Sequence, residues 1–322
     1  MQWLGNLFSA AQQWLFEAVV QPLMFAAGLG NLLENGYAAT GWLLVGLLQI
    51  AVLVGVIGPL QRWRPVEAVT DRATVRTDIL YTLIHRLGLF RIALFFTVDP
   101  LFDAAFGALR TAGYGTFHLD QVWPGVTDGA VASLLIYLVV FDFLAYWTHR
   151  AQHQAGWWWR LHSLHHAQRQ MTMWSDNRNH LLDDVLVDII VVLVAQAIGV
   201  APEQFIVIVA LAQLSESFQH ANVRVWFGKV GERLWVSPRF HRLHHAIGSD
   251  QEAPGKKGVE GGGGGYNFGV LLPCWDVLFG TANFEQRYDP TGVRDELEQG
   301  RYYGRGLLSQ QWVGFKRLIG RA

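Results

Sequence analysis

Residues 130–154 read AVASLLIYLVVFDFLAYW followed by Thr148-His149-Arg150-Ala151-Gln152-His153-Gln154. Residues 130–147 carry a single charge, Asp142, and are long enough for one crossing of a bilayer core about 30 Å thick. The stretch then ends in two histidines spaced i, i+4, which share one face of a helix. A span that terminates in paired metal ligands predicts a membrane-bound helical protein with a metal site at one membrane face.

The rest of the chain agrees with a bilayer. Of 322 residues, 51% are hydrophobic and only 16% charged, against roughly 25% charged in soluble domains. Further candidate spans are residues 41–60, residues 79–98 (interrupted by His85, Arg86 and Arg91) and residues 185–218. The last is too long for one crossing and is broken by Gly199, Ala201 and Pro202, so it predicts a helical hairpin that enters the membrane and returns. Residues 14–33 are apolar but contain Glu17 and are expected to lie in the interface. The first basic residue is Arg62. The start therefore lacks the charged segment of a cleavable signal peptide, and the N-terminus is expected to be retained.

Arg62, Arg64, Arg72 and Arg76 crowd residues 61–77, whereas residues 99–128 hold only Arg110. Basic loops favour the cytoplasm. With 61–77 inside, the second span leads out, the third returns, and every histidine from His149 to His245 falls near the cytoplasmic face. A net charge of −1 excludes a strong electrostatic pull on nucleic acid. One cysteine, Cys274, excludes an internal disulfide and any multi-cysteine metal site. Metal chemistry would have to use histidine and carboxylate.

Ten of the 12 histidines lie between 149 and 245. They are the pair His149 and His153, the H-x-x-H-H cluster His162, His165 and His166, then His180 and His220, and a second H-x-x-H-H, His241, His244 and His245. On a helix His162 can align with both His165 and His166, but those two neighbours diverge by about 100°. One cluster can thus reach two ions, and the whole set is too large for one. Imidazole suits several transition metals. The H-E-x-x-H pattern of zinc proteases is absent, since residues 149–153 offer no glutamate. His85 and His118 read as ordinary surface or core histidines.

The stretches Asp142–His153, Leu161–His166, Phe218-Gln-His220-Ala-Asn222-Val, Pro238–His245, Asn267-Phe-Gly269 and Trp275–Thr281 occur in an order that resembles the fatty acid hydroxylase / sterol desaturase superfamily. The resemblance covers about residues 130–282. It implies an all-α, polytopic membrane helical bundle with a cytosolic, histidine-rich diiron cap. It implies that the three histidine boxes bind two iron ions, with His220 and His180 as further ligands, and that Asp142 and Asn222 are candidate catalytic residues. The activity implied is O2-dependent hydroxylation or desaturation of a lipid, such as a sterol or fatty acyl chain. The superfamily's Arg-x-His-Pro motif has Leu181 in place of proline here, with Asp183 or Asp184 standing in for the following acid. An aspartate two residues before the Asn-Phe-Gly motif is replaced by Gly265.

Metal-bound histidines usually donate their second N–H to an acceptor. Asp142 is the leading candidate for that role, ahead of Asp176, Asp183, Asp184, Glu216 and Asp276. Arg150 and Arg242 are expected at the surface or facing a redox partner, and Trp157, Trp158 and Trp159 in an aromatic belt. No haem, flavin or iron–sulfur signature is present, so electrons are expected from a separate electron-transfer protein. The expected organisation is residues 1–39 as an interfacial or membrane segment, 40–127 as the first spans and their connection, 128–282 as the catalytic domain, and 283–322 as a membrane-surface cap. Gly261 to Gly265 is expected to be a flexible loop. Two rival classes remain open at this point: a non-enzymatic metal transporter or scaffold, and a zinc-dependent lipid hydrolase.

Overall fold

The structure, a computed structural model, describes residues 2–249 and 264–321. The expected glycine loop lies largely outside the described residues. Those residues fold as helices and connecting loops, with one isolated bridge between Ala246 and Thr291 and no strand.

The longest helix runs from Gly30 to Trp63 and is apolar enough to cross a membrane. It contains a π-turn over Leu53–Ile57, just ahead of Pro59. Proline has no N–H to give the residue four positions back, and the wider turn absorbs the lost bond. The same pairing occurs at Phe16–Val20 ahead of Pro22. The chain then reverses at Gly28 and Leu29. This brings Gln2–Leu15 back along the long helix, where Gln12 Nε2 donates to the Tyr37 carbonyl at 2.9 Å and Phe16 meets Tyr37 edge-on.

The segment expected to be one span at 79–98 is two helices. Arg72–Arg86 and Leu89–Thr97 meet at an angle of 51°. The break falls at Gly88, whose φ of +77° no β-carbon would readily allow. Asp71 caps the first of these helices by accepting from Thr74 N at 3.0 Å, which starts it seven residues earlier than hydropathy alone suggests. Of the charges that interrupt the segment, Arg86 turns inward while Arg91 stays partly exposed. Arg86 is buried against Asp176, and Arg91 pairs with Asp188 and Asp99.

Ala130–Gln154 is one straight span of 25 residues, about 37 Å long at 1.5 Å per residue. It therefore reaches past the hydrocarbon and carries its histidines beyond. The expected hairpin is present as Leu181–Ile198 and Pro202–Gln219, joined at Gly199 in the left-handed region. Each arm is about 27 Å long, just under the thickness of the bilayer core, which suits entry and return. Tyr137, Phe141, Ile208 and Leu271 form the main apolar core between the long span and the hairpin.

Helix contact with the first long span depends on Gly46. A β-carbon there would sit 1.6 Å from the Arg86 carbonyl oxygen. Gly46→Ala is expected to push the two helices apart at a cost of about 1–3 kcal/mol, the range for overpacked cores. A melting temperature in detergent equal to that of the unmodified protein would contradict this.

Candidate metal centre

Nine of the ten histidines singled out above converge. His149 and His153 come from the end of the long span, and His162, His165 and His166 from the short helix Gly156–His166 that follows it. His220 caps the second arm of the hairpin, and His241, His244 and His245 lie on or just after Pro238–His244. All nine are buried.

Eight of them form two groups of four whose ligand atoms lie within 4.8 Å of one another: His149, His153, His162 and His166 in one, and His165, His220, His241 and His245 in the other; the ninth, His244, groups with His166 and His245 between them. The H-x-x-H-H spacing divides as helix geometry requires, with His162 and His166 in the first group and His165 in the second. In the second group His220 Nε2 lies 3.1 Å from both His165 Nε2 and His241 Nε2, and His241 Nε2 lies 3.2 Å from His245 Nε2. Nitrogens about 2.1 Å from one ion stand roughly 3.0–3.4 Å apart, so these spacings fit a shared cation. Nε2 of His162, His166 and His244 and both nitrogens of His153 are buried without a hydrogen-bond partner. Such unpaired polar atoms are costly unless something binds them, and the donor set fits a divalent transition metal.

The outward-facing nitrogens are held from behind. His162 Nδ1 donates to Asp183 Oδ2 at 3.0 Å, and the same carboxylate accepts from Gln152 Nε2 at 2.8 Å and Trp158 Nε1 at 2.6 Å. His149 Nδ1 donates to the Phe268 carbonyl at 3.0 Å, His244 Nδ1 to that of Tyr266 at 2.8 Å, and His220 Nδ1 to that of Glu216 at 2.8 Å. The carbonyls at 266 and 268 are placed by a tight loop. Asn267 adopts φ +60°, and its side-chain amide donates to the carbonyls of Phe240 and Asn283. Asp276 accepts from the backbone N–H of Phe268 at 2.8 Å, from that of Gly269 at 2.7 Å, and from the Thr281 hydroxyl. Burial pushes the Asp276 carboxyl up to about 6. His153 has no such partner. Gly265 lies beside it at φ +122°: a β-carbon there would stand 3.6 Å from His153 Nδ1 but only 2.7 Å from the Phe268 ring, so the site holds a glycine.

Several expected site residues do other work. His180 lies apart from the nine: its Nε2 donates to the Gln311 carbonyl at 2.8 Å and its Nδ1 accepts from Leu182 N, so neither nitrogen is left for a metal. It caps the first hairpin arm and seats the C-terminal helix Leu307–Leu318. Asp142 does not reach a histidine. Its carboxylate accepts from Leu271 N at 2.7 Å, Leu272 N at 3.1 Å and Trp275 Nε1 at 2.9 Å, which anchors the far side of the 266–276 loop to the long span.

Asn222 latches the segment after the first span. It accepts from Val66 N and Glu67 N and donates to the Glu67 carbonyl. Arg242 is buried against Glu67 and the Asp289 carbonyl rather than displayed, and Arg150 is pinned to Tyr146 and Trp147. Of the three tryptophans only Trp157 is exposed, while Trp159 packs on the rings of His153 and His166. The support given by Asp183 and Asp276 was legible only in part. Three aspartates at 183, 184 and 188 in an otherwise apolar helix were the available signal.

A cavity of about 420 Å³ leads to the histidine groups. His149, His162, His165, His220 and His241 form its inner end. Its other walls come from the spans and hairpin and are mostly apolar, with Val45, Val187, Val191, Phe205 and Ile208, but Arg91, Asp184 and Asp188 also line it.

Burial, followed by repulsion from neighbouring imidazoles, holds His165, His166, His241 and His245 well below the ordinary histidine value near 6.5. Their folded-state values are depressed, so the unfolded chain takes up protons first. The metal-free protein is therefore expected to be most stable above about pH 6.5 and to lose stability as pH falls below it. Thermal melts of metal-stripped protein from pH 8 to pH 5 check this, and a flat profile would sink it.

Residues 134–281 match the fatty acid hydroxylase family. The chain is 26% identical over 242 residues to an ornithine lipid hydroxylase of Rhizobium tropici, covering 74% of this chain and 67% of that one. It is 28% identical over 149 residues to an alkylglycerol monooxygenase of Caenorhabditis elegans, covering 46% of this chain and 26% of the relative. To a fatty acid hydroxylase of a Lecanicillium species it is 23% identical over 175 residues, covering 50% and 44%. The chain thus spans two thirds of the first relative and less than half of the other two. No solved structure matches significantly. The family match lies over all nine clustered histidines: residues 134–281 are a fatty acid hydroxylase domain, and the names of the relatives, hydroxylases and a monooxygenase, support an oxidoreductase.

Proposed function

We propose that the protein hydroxylates a membrane lipid with dioxygen at a two-iron centre held by the nine clustered histidines. One observation carries this reading: a mostly apolar cavity between the spans and the hairpin ends on two groups of histidines whose Nε2 atoms face one another or lack partners. The names of the relatives, all hydroxylases or monooxygenases, favour hydroxylation over desaturation. They also suggest the substrate range: an ornithine lipid, an alkyl glycerol ether or a fatty acyl chain.

His149, His153, His162 and His166 would hold one iron, and His165, His220, His241 and His245 the other, with His244 between the groups. The irons, when bound, supply the redox chemistry that lets dioxygen oxidise an unactivated C–H bond. In balance, one C–H bond, dioxygen, two electrons and two protons yield an alcohol and water.

The chain's own residues provide position and exclusion. Asp183 and the carbonyls of Phe268, Tyr266 and Glu216 set which nitrogen of each ring faces inward. Burial favours the neutral form of His165, His166, His241 and His245, the form that coordinates metal. The apolar walls keep water from the reacting carbon and admit a lipid sideways from the bilayer.

The two electrons come from a separate donor protein, docking on the cytoplasmic side. That sidedness rests on the basic segment at 61–77. Its first part is tied to the histidine end of the molecule by Asn222 and Arg242, and its middle by Gln170, which accepts from Thr70 N and Asp71 N.

Full-length protein purified in detergent without chelator is expected to carry two irons per chain. With an electron donor and oxygen it should add one oxygen atom to a co-extracted lipid, read by mass spectrometry. His162→Ala and His241→Ala should each lower the iron content. His180→Ala should keep both irons while losing about 1 kcal/mol of stability, the worth of a typical hydrogen bond. Protein free of iron yet fully active, or His180→Ala lacking iron, would contradict the assignment.

A further inference from the structure

The two histidine groups have the same number of ligands but not the same support. Behind the first, His162 leans on a carboxylate. Asp183 is almost wholly buried and fixed by three donors, His162 Nδ1, Gln152 Nε2 and Trp158 Nε1. His149 is fixed by the Phe268 carbonyl, which Asp276 and Asn267 hold in place. Among the described residues, neither His153 nor His166 has a hydrogen bond on either nitrogen, so the advantage of this group lies in His162 and His149.

Behind the second group the support is thin. His220 alone has an acceptor, the Glu216 carbonyl. Nδ1 of His165, His241 and His245 is buried with no partner. The nearest carboxylate to His220 is Asp176, with Oδ1 at 3.8 Å from Nδ1, beyond hydrogen-bond reach. Asp176 Oδ2 already accepts from Arg86 Nη2 at 3.1 Å, from the Ser217 hydroxyl at 3.1 Å and from Asn177 Nδ2 at 3.2 Å. The guanidinium of Arg86 thus offsets the negative charge of Asp176 and places a buried cation near this group.

A carboxylate behind a metal-bound imidazole makes the ring a stronger donor and fixes its tautomer, and its loss typically costs 10–100-fold in metal affinity. A neighbouring cation works in the opposite direction. We propose that the two metal positions are inequivalent: the group of His149, His153, His162 and His166 is the high-affinity position that fills first, and the group of His165, His220, His241 and His245 is the labile one. Asp183 is the positioning residue that sets the difference. This inference rests on the two-metal reading above but concerns the ranking of the positions, which that reading leaves open.

The test is timed chelation of the iron-loaded full chain in detergent, following iron release by absorbance of the chelate. Unmodified protein is expected to release its iron in two phases of equal amplitude, one ion per phase. In Asp183→Asn the slow phase should quicken by about 10–100-fold while the fast phase stays put. A defect of general folding would instead quicken both.

A second measurement needs no variant. Metal-stripped protein given one equivalent of Mn2+ should show the electron paramagnetic resonance signal of an isolated ion, and the spin-coupled signal of a pair only as the second equivalent binds. Release of both irons in a single phase, equal acceleration of both phases in Asp183→Asn, or a coupled pair at one equivalent would each overturn the inference. Protein that binds no iron and no Mn2+ would overturn the two-metal function itself, a result distinct from these.

Discussion

Nine imidazoles packed against one another out of reach of water are tolerable only as neutral rings. Protonating any of them would bury a positive charge among its neighbours, and desolvation alone opposes that. A neutral ring, however, brings one N–H and one bare nitrogen, and both need a partner. The arrangement around the site follows from satisfying the first while keeping the second turned inward. Asp183 and three backbone carbonyls take the N–H side of four rings. The bare nitrogens are left to a metal.

That demand explains polar structure that would otherwise be out of place in so apolar a protein. The loop at 266–276 has no regular structure before its short terminal helix, yet it is pinned by three side chains. Asn267 binds it to the third-box helix, Asp276 closes it on itself and Asp142 ties it to the long span. A charged residue in a spanning helix is expensive and tends to mark function. Here Asp142 acts at a distance from the histidines, by holding the loop whose carbonyls orient them. Arg178 and Asp78, both buried, perform a similar task for the loop between the second box and the hairpin.

The membrane supplies the other half of the design. A cavity floored by histidines and walled in part by Val187, Val191, Phe205 and Ile208 gives an apolar chain a route to the histidine groups. The hairpin forms much of this wall. Its arms are short enough to leave their ends, and His220 with them, at the membrane face where the other boxes emerge.

Much of this was legible in the chain as written. Apolar runs of bilayer length announced the long spans, glycine and proline at 199 and 202 announced the hairpin, and the i, i+3, i+4 histidine spacing announced the division of the box at 162–166 between two groups. Those features are local, and helix periodicity together with the cost of charge in hydrocarbon is enough to decide them. The bend at Gly88, the exclusion of His180, and the exchange of roles between Asp142 and Asp183 were not legible. His180 has the same chemistry as the nine that converge, and Asp142 precedes a histidine box more closely than Asp183 does in sequence. Only the packed structure decides which carboxylate faces which ring, because a hydrogen bond depends on directions and distances between segments far apart in the chain. The sequence by itself determined that a histidine-rich centre would sit at one face of a membrane bundle. The tertiary structure decided which nine histidines form it and which residues stand behind them.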